Sequence, residues 1–246
     1  MIEVALNGAR TRSENPAIPL TVAELAESAR EAVAAGAGCV HFHVRATDGR
    51  ESVDAPDVAA ALAVMRRAIP GVPIGVSTAQ WIEPDSAARH QKVAEWTVLP
   101  DFASVNFNEP GAVALAELLI SVGVGIEAGL GSVLAVENFV GSKIGPRCLR
   151  ALLEPEEQEM GAAVAVIGFL EAFLNRGNVK IPRLLHGYEG TAWDFVGLAA
   201  ARGYDTRIGF EDTVKMRDGN PASGNGQLVG EAVQLTKTVS KGASAK

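Results

Sequence analysis

The chain has 246 residues, 48% of them hydrophobic and 21% charged, enough to bury one large core without disulfide staples. Its 22 Lys and Arg against 29 Asp and Glu give a net charge of −7 with no concentrated basic patch, which argues against nucleic acid as a partner. No apolar run approaches the ~20 residues of a membrane helix, and the opening MIEVALNGAR lacks the basic-then-apolar order of a signal peptide, so the expectation is a cytoplasmic protein that engages no membrane.

Residues 2–6 (IEVAL) form a short apolar run, and the spacing of Leu25, Ala29 and Val33 predicts a helix over 21–36. Thr21 with Glu24 makes a capping box at its start, and Gly36 stops it. The same unit then recurs. Strands are expected at 39–44, 72–77, 101–106, 123–127, 148–153, 182–187 and 205–210, and the helices that follow them at 55–68, 84–97, 111–122, 131–140, 156–175, 190–202 and 226–240. Eight successive units in this length predict a (β/α)8 barrel, a single catalytic domain over residues 1–240 with a frayed tail at 241–246. The Gly123-Val124-Gly125 segment opens a strand instead of leading into a helix, so a dinucleotide-binding reading is set aside. Cys39 and Cys148 form no CxxC and are expected as buried thiols.

Alternation along each strand sends one parity into the barrel and the other toward the helices. In strand 2, Val40, Phe42 and Val44 suit the helix layer, which turns Cys39, His41, His43 and Arg45 inward. In strand 8, Ile208 and Phe210 are the apolar set, so Arg207, Gly209 and Glu211 face in. The same parity sends Asn7, Ser77, Ser104, Asn106, Glu127 and His186 to the mouth, at the strand ends where barrel active sites are built.

Two histidines at i and i+2 reach a common point. Alone, such a pair is compatible with a metal site or with imidazoles satisfied by hydrogen bonds; with Glu211 inward at the same rim, His41, His43 and Glu211 read as a ligand set with open positions, zinc being the default. An amidohydrolase-type barrel also carries HxH, but it needs more histidines than the four present, at 41, 43, 90 and 186.

The stretch VHFHVRATDGRES at 40–52 and the strand-8 block RIGFEDTVKMRDGNPASGNGQLV at 207–229 resemble the β-keto acid cleavage enzymes. The resemblance spans nearly the whole chain, strongest at strands 1, 2 and 8 and weakest between about 129 and 190. It implies a zinc-dependent barrel, or one using another divalent metal, that condenses a β-keto acid with acetyl-CoA to give acetoacetate and a new acyl-CoA. A homo-oligomer is expected. The resemblance further implies metal ligands at His41, His43 and Glu211, a catalytic Arg207–Asp212 pair, and hydroxyl-bearing site positions at Ser77 and Ser104, where the family more often has Thr at the latter. Asn106 joins the substrate contacts, and Asp212, beside a ligand, is the expected base for the C2 proton. Arg10 and Arg45 stand as candidates for holding a carboxylate or CoA phosphates, against ordinary solvation at the rim. Glu127 either selects the substrate or backs a ligand imidazole, and His186 and Tyr188 sit at the rim without an assigned role.

One departure from the family stands out. Where well-known members read GA followed by Glu after strand 1, this chain reads Gly8-Ala9-Arg10, which leaves two readings: Glu14, four residues on, substitutes for that acid, or Arg10 contacts a substrate with an anionic tail. The competing functions are a metal-dependent retro-aldol or decarboxylating lyase that uses no CoA, and a non-catalytic metal-binding barrel.

Overall fold

All eight predicted strand–helix units are present in the computed structural model, which describes the backbone of residues 1–243 and the side-chain surroundings of residues 1–239. The strands are β1 (Ile2–Ala5), β2 (Cys39–Phe42), β3 (Ile74–Ser77), β4 (Phe102–Asn106), β5 (Gly125–Leu130), β6 (Arg150–Leu153), β7 (Arg183–Leu185) and β8 (Asp205–Ile208). Between and after them run α1 (Val22–Ala35), α2 (Ala55–Ala68), α3 (Ser86–Ala94), α4 (Ala112–Ser121), α5 (Val133–Ser142), α6 (Met160–Arg176), α7 (Ala192–Arg202) and α8 (Asn225–Ala243). Neighbouring strands pair in parallel in chain order, and β8 returns to β1 with Ile208 opposite Val4, which closes the barrel.

Local chemistry sets the boundaries. Thr21 accepts the Glu24 amide while the Glu24 carboxylate accepts the Thr21 amide, so both ends of the predicted capping box are made at α1. Gly36 then takes the left-handed conformation, φ 117°, that ends the helix. β2 stops at Phe42, short of the expected Val44, because the Asn7 side chain takes over the hydrogen bonding of His43: its amide donates to the His43 carbonyl at 3.0 Å and its oxygen accepts the His43 N–H at 2.9 Å. β5 begins two residues later than expected and runs three further, because Gly123, at φ 85°, closes α4 instead of opening the strand. α6 starts at Met160, where Glu159 caps the Gly161 and Ala162 amides, and this leaves 156–159 as a loop. α8 continues to Ala243, so the expected frayed tail is helical at its start, and residues 244–246 lie outside the described residues.

The strand parity is as predicted. Val4, Val40, Phe42, Ile74, Val76, Val105, Ile126, Leu153 and Ile208 are buried in one core between sheet and helices. The other parity fills the barrel. Its lower part is charged: Arg150 donates to both Glu3 and Glu127, Cys39 donates to Glu3 at 3.3 Å, and the guanidinium lies over the Phe102 ring, 5.5 Å from its centroid. Gly75 makes room for that ring, since a Cβ there would stand 2.0 Å from it. Both cysteines are free and buried, as expected. Among the described residues no helix is long and apolar enough to cross a membrane.

Candidate active site

At the C-terminal mouth of the barrel, His41 and His43 from β2 and the turn beyond it meet Glu211 from the turn after β8. His41 Nε2 lies 3.7 Å from Glu211 Oε2, and His43 Nε2 lies 3.5 Å from Glu211 Oε1. Ligand atoms of all three fall within 4.8 Å of one another, and Glu211 Oε2 is buried with no hydrogen-bond partner. Two imidazole nitrogens and a carboxylate oxygen, with one oxygen uncommitted, make a donor set able to hold a divalent cation. The surroundings prepare each group. Burial pushes His41 down to about 3, so it is a neutral imidazole with a free lone pair. His43 is also buried, but Glu211 and Glu51 raise it to about 9, so a bound cation would take the place of a proton held between carboxylates. Its Nδ1 is hydrogen-bonded to Glu51, which leaves Nε2 to face Glu211. Trp81 stacks on the His43 ring, 6.0 Å between centroids at 19°, and donates its indole N–H to the same Glu51.

The turn after β1 presses against this set from one side. Gly8 has φ 56°, and a Cβ there would come 2.6 Å from Glu211 Cγ. Arg207 completes the inner wall. It donates to Asp212 Oδ1 through Nε at 3.2 Å and Nη2 at 2.7 Å, and to Glu211 at 3.2 Å. Burial opposes its charge, yet Asp212 and Glu211 hold it protonated well above the usual range. Against burial, Arg207 and the two histidines hold Glu211 ionised, well below the carboxylate range.

His43, Glu211 and Arg207 line a cavity of about 620 Å³ together with Ser77, Ser104, Asn106 and Glu154, and His43, Trp81, Tyr188 and Glu211 also line an outer vestibule of about 530 Å³. The volume is that of a small-molecule pocket. Of the predicted site residues, His43, Glu211, Arg207, Ser77, Ser104 and Asn106 line the cavity, and His41, buried, joins them through Glu211. Asp212 is fully buried behind Arg207 and presents no atom to the cavity. Arg10 reaches the vestibule with its guanidinium bonded to Glu14, to Glu189 and to the backbone carbonyls of Glu211 and Asp212. Arg45 donates to the carbonyls of Gly8, at 2.6 Å, and Arg10, at 3.2 Å, and so ties down the same turn.

The structure corrects the placement of Glu127. Because β5 starts at Gly125, Glu127 falls near the strand's beginning and lies in the charged layer below the cavity, hydrogen-bonded to Arg150, instead of at the mouth. Burial, and then the charge of Glu127, raise Glu3 well above the carboxylate range, so this layer holds a proton as well as a guanidinium.

Several site residues escaped the sequence reading. Glu51 and Trp81 support His43, Glu154 lines the cavity, and Glu109 is locked by Arg89 at 2.8 Å and by Asn106 at 2.9 Å. A signal for Glu51 was present: Asp48-Gly49 reads as a hairpin turn, and the bridge between Arg45 and Glu51 folds that carboxylate back over His43. Glu154 carried none, because an acid following an apolar strand has no spacing partner.

Comparison with known proteins bears on the family. The chain is 28% identical over 263 residues to the 3-keto-5-aminohexanoate cleavage enzyme of Fusobacterium nucleatum subsp. nucleatum, covering 98% of this chain and 92% of the relative. It is 37% identical to the 3-oxoadipate:acetyl-CoA acetyltransferase of Cupriavidus necator over 106 residues, 43% of this chain and 36% of that one. Among solved structures, ObcA in ternary complex with a C4-CoA adduct and oxalate superposes with a TM-score of 0.73 at 17% identity, over 92% of this chain and 65% of that chain, slightly under two thirds of its length. At that identity the likeness bears on fold alone, and it agrees with the barrel. The pattern of the beta-keto acid cleavage enzymes matches residues 1–128 and 158–244, and the chain belongs to that family.

Proposed function

We propose that this chain is a metal-dependent enzyme that condenses a β-keto acid with acetyl-CoA and releases acetoacetate and a new acyl-CoA. The observation that carries the reading is the convergence of His41, His43 and Glu211, with His43, Glu211 and Arg207 lining one cavity. Those three side chains would hold the ion, zinc by the character of the donors, and a divalent ion there supplies the positive charge that favours an enolate over the keto form. The names of the relatives support the choice of substrates: one is a cleavage enzyme for a β-keto acid, another an acetyl-CoA acetyltransferase.

The protein's own groups account for the rest. Arg207, held by Asp212, presents a fixed cation to the substrate carboxylate. Ser77, Ser104 and Asn106 offer hydroxyl and amide groups along the wall formed by β3 and β4. Loss of a C2 proton makes C2 the nucleophile that attacks the acetyl carbonyl; CoA leaves as a thiolate, adds to the original keto carbon, and breaks the C2–C3 bond, which partitions the products as acyl-CoA and acetoacetate. Arg10 is charge-matched by Glu14 and Glu189, so its part in choosing the substrate tail is to be read by comparing acidic and aminated substrates in wild type and Arg10→Glu. Self-association belongs to the same proposal, supported by Leu134 and Phe169, which are 56% and 58% exposed on α5 and α6.

The test incubates purified protein with acetyl-CoA and a panel of aminated, neutral and dicarboxylic β-keto acids, with acetoacetate and acyl-CoA followed by mass spectrometry. Acyl exchange on one of these classes is expected, together with stoichiometric divalent metal that is lost in His41→Ala. Silence across the panel would refute the reading, and turnover in CoA-free buffer would replace it with the lyase.

A further inference from the structure

The proposed reaction draws on acetyl-CoA, whose 3′-phosphate and diphosphate are anionic, while the chain carries a net charge of −7. Docking such a ligand needs cations beside the mouth that are not already spent. In the loops that follow the strands, Lys and Arg occur only after β1, β2 and β8: Arg10 and Arg12, Arg45 and Arg50, Lys215 and Arg217. The loops after β3 to β7 hold none, and the one after β6 holds Glu154, Glu156, Glu157 and Glu159. The mouth is therefore split by charge, and a phosphate-bearing arm is favoured on the side of β8, β1 and β2. Most of the cations there are committed. Arg10 is bonded to Glu14 and Glu189, Arg12 to Glu24, and Arg50 to Asp48. Arg45 donates to the Gly8 and Arg10 carbonyls. Lys215 and Arg217 are the exception: both are exposed, and among the described residues neither side chain has an ion pair or a hydrogen bond.

The hairpin that carries them is built to hold them outward. Residues 213–222 fold back through an antiparallel bridge between Lys215 and Pro221. The Met216 amide donates to the Asn220 carbonyl at 2.8 Å, and the Ala222 amide to the Val214 carbonyl at 2.9 Å. Strand-like alternation packs Val214 and Met216 against the core and leaves Lys215 and Arg217 in solvent. Gly219, at φ 86°, makes the turn, and the carboxylate of Asp218 is taken by the backbone and side-chain amides of Asn220 at 2.9 and 2.8 Å. Trp193 of α7 donates its indole N–H to the Lys215 carbonyl at 2.9 Å, and Asn15 of the loop after β1 donates to the Ala222 carbonyl at 2.9 Å, so both flanks are tied down. The hairpin springs from Glu211 and Asp212, whose carbonyls accept from Arg10, a residue of the vestibule wall. Arg217 is 6 residues beyond Glu211, at most about 20 Å along an extended chain, a span that the arm of CoA covers.

We propose that Lys215 and Arg217 form the site for the phosphates of acetyl-CoA, with the pantetheine arm running from the hairpin past Arg10 into the vestibule. This rests on acetyl-CoA being the co-substrate, as proposed above. No bond is made or broken at the hairpin. Its two cations hold the co-substrate by charge-assisted hydrogen bonds while the thioester meets the keto acid. A free phosphate ion offers the same chemistry to the pair, and the arms of the experiment separate the two sources.

The experiment compares acetyl-CoA with acetylpantetheine, which carries no phosphate, in wild type and in a variant combining Lys215→Ala with Arg217→Ala. Binding of 3′,5′-ADP and of inorganic phosphate is measured in parallel by calorimetry. In wild type, kcat/KM for acetyl-CoA should exceed that for acetylpantetheine, and in the double variant the ratio of the two should fall about 5- to 30-fold, as for two exposed charge pairs. The rise of KM for acetyl-CoA with salt should weaken at the same time. Affinity for 3′,5′-ADP should drop by a similar factor, and Lys215→Arg with Arg217→Lys should keep the wild-type ratio. An unchanged ratio, or equal losses on both thioesters, overturns the site and leaves the proposed reaction standing. Inorganic phosphate binding as tightly as 3′,5′-ADP also overturns it, in favour of a site for the free ion. If wild type turns over neither thioester, the reaction reading fails, and the phosphate site then stands or falls on the 3′,5′-ADP titration alone.

Discussion

Replacing Arg150 with Met tests whether the charged layer under the cavity is held by that guanidinium. In the native chain Arg150 bonds Glu3 and Glu127, both fully buried, with a longer contact of 3.8 Å to Asp205. Glu3 already holds its proton beyond the carboxylate range, owing to burial and the charge of Glu127, with Arg150 and Arg207 opposing. Arg150 is the cation that both of these buried carboxyl groups bond. Without the guanidinium a buried carboxylate stands uncompensated, a loss of about 3–5 kcal/mol at neutral pH. The sign of the pH dependence follows from the proton balance. Unfolded carboxyls titrate near about 4.3, whereas the folded variant retains its protons to higher pH, so each extra proton removes about 1.4 kcal/mol of stability per pH unit through that window. Urea unfolding followed by circular dichroism should therefore give a small deficit relative to wild type at pH 5 and the full one at pH 8. Adding Glu127→Gln to Arg150→Met removes the stranded charge and should restore most of the difference. An equal deficit at both pH values, or no recovery in the double variant, would refute the reasoning.

Gly8→Ala forces a left-handed residue, at about 1–2 kcal/mol, and drives a methyl into Glu211 Cγ, so elemental analysis should find the proposed metal depleted even where the variant folds. Glu51→Gln leaves His43 in place but weakens the hold on its Nδ1, and metal affinity measured by chelator competition should fall about 10- to 100-fold with the melting temperature little changed. Thr21→Ala opens the capping box of α1 at a distance from the cavity; chemical unfolding should show a loss of about 1 kcal/mol with metal content intact, and a loss below about 0.3 kcal/mol would mean that water caps the helix as well as Thr21 does.

What was legible in the sequence was whatever is encoded over a few residues. The capping box at Thr21 and Glu24, the alternation of Val40 and Phe42 with His41 and His43, and the turn at Gly36 are each contained within one element, and each is found as read. The (β/α)8 barrel follows from repetition of such units, because eight parallel strands with helices on one side have no lower-cost way to bury both faces. Element ends were less legible because partners distant in sequence set them. Asn7 replaces the sheet at His43 from 36 residues away. The convergence of His41, His43 and Glu211 could be anticipated only because parity and strand order together bring β8 beside β1 and β2.

Parity tells which way a side chain faces but not how deep along the barrel it lies, and in this protein depth separates the charged layer from the cavity wall. Glu127 and Glu154 are both acids associated with strands whose neighbours are apolar, yet the first meets Arg150 beneath the cavity and the second lines its wall. The difference is set by where each strand starts: β5 is delayed by the Gly123 turn, which lowers Glu127, whereas Glu154 comes one residue after β6 ends and so is carried to the rim. His41 joins the two depths. Its ring approaches Glu211 on one side, and a ring nitrogen comes within 4.8 Å of the Glu3 and Glu127 carboxylates on the other. A charged floor here therefore does more than fill space. It sets two acids and a guanidinium below a buried imidazole whose Nδ1 has no hydrogen-bond partner, polar company that an apolar layer of the same volume would not supply.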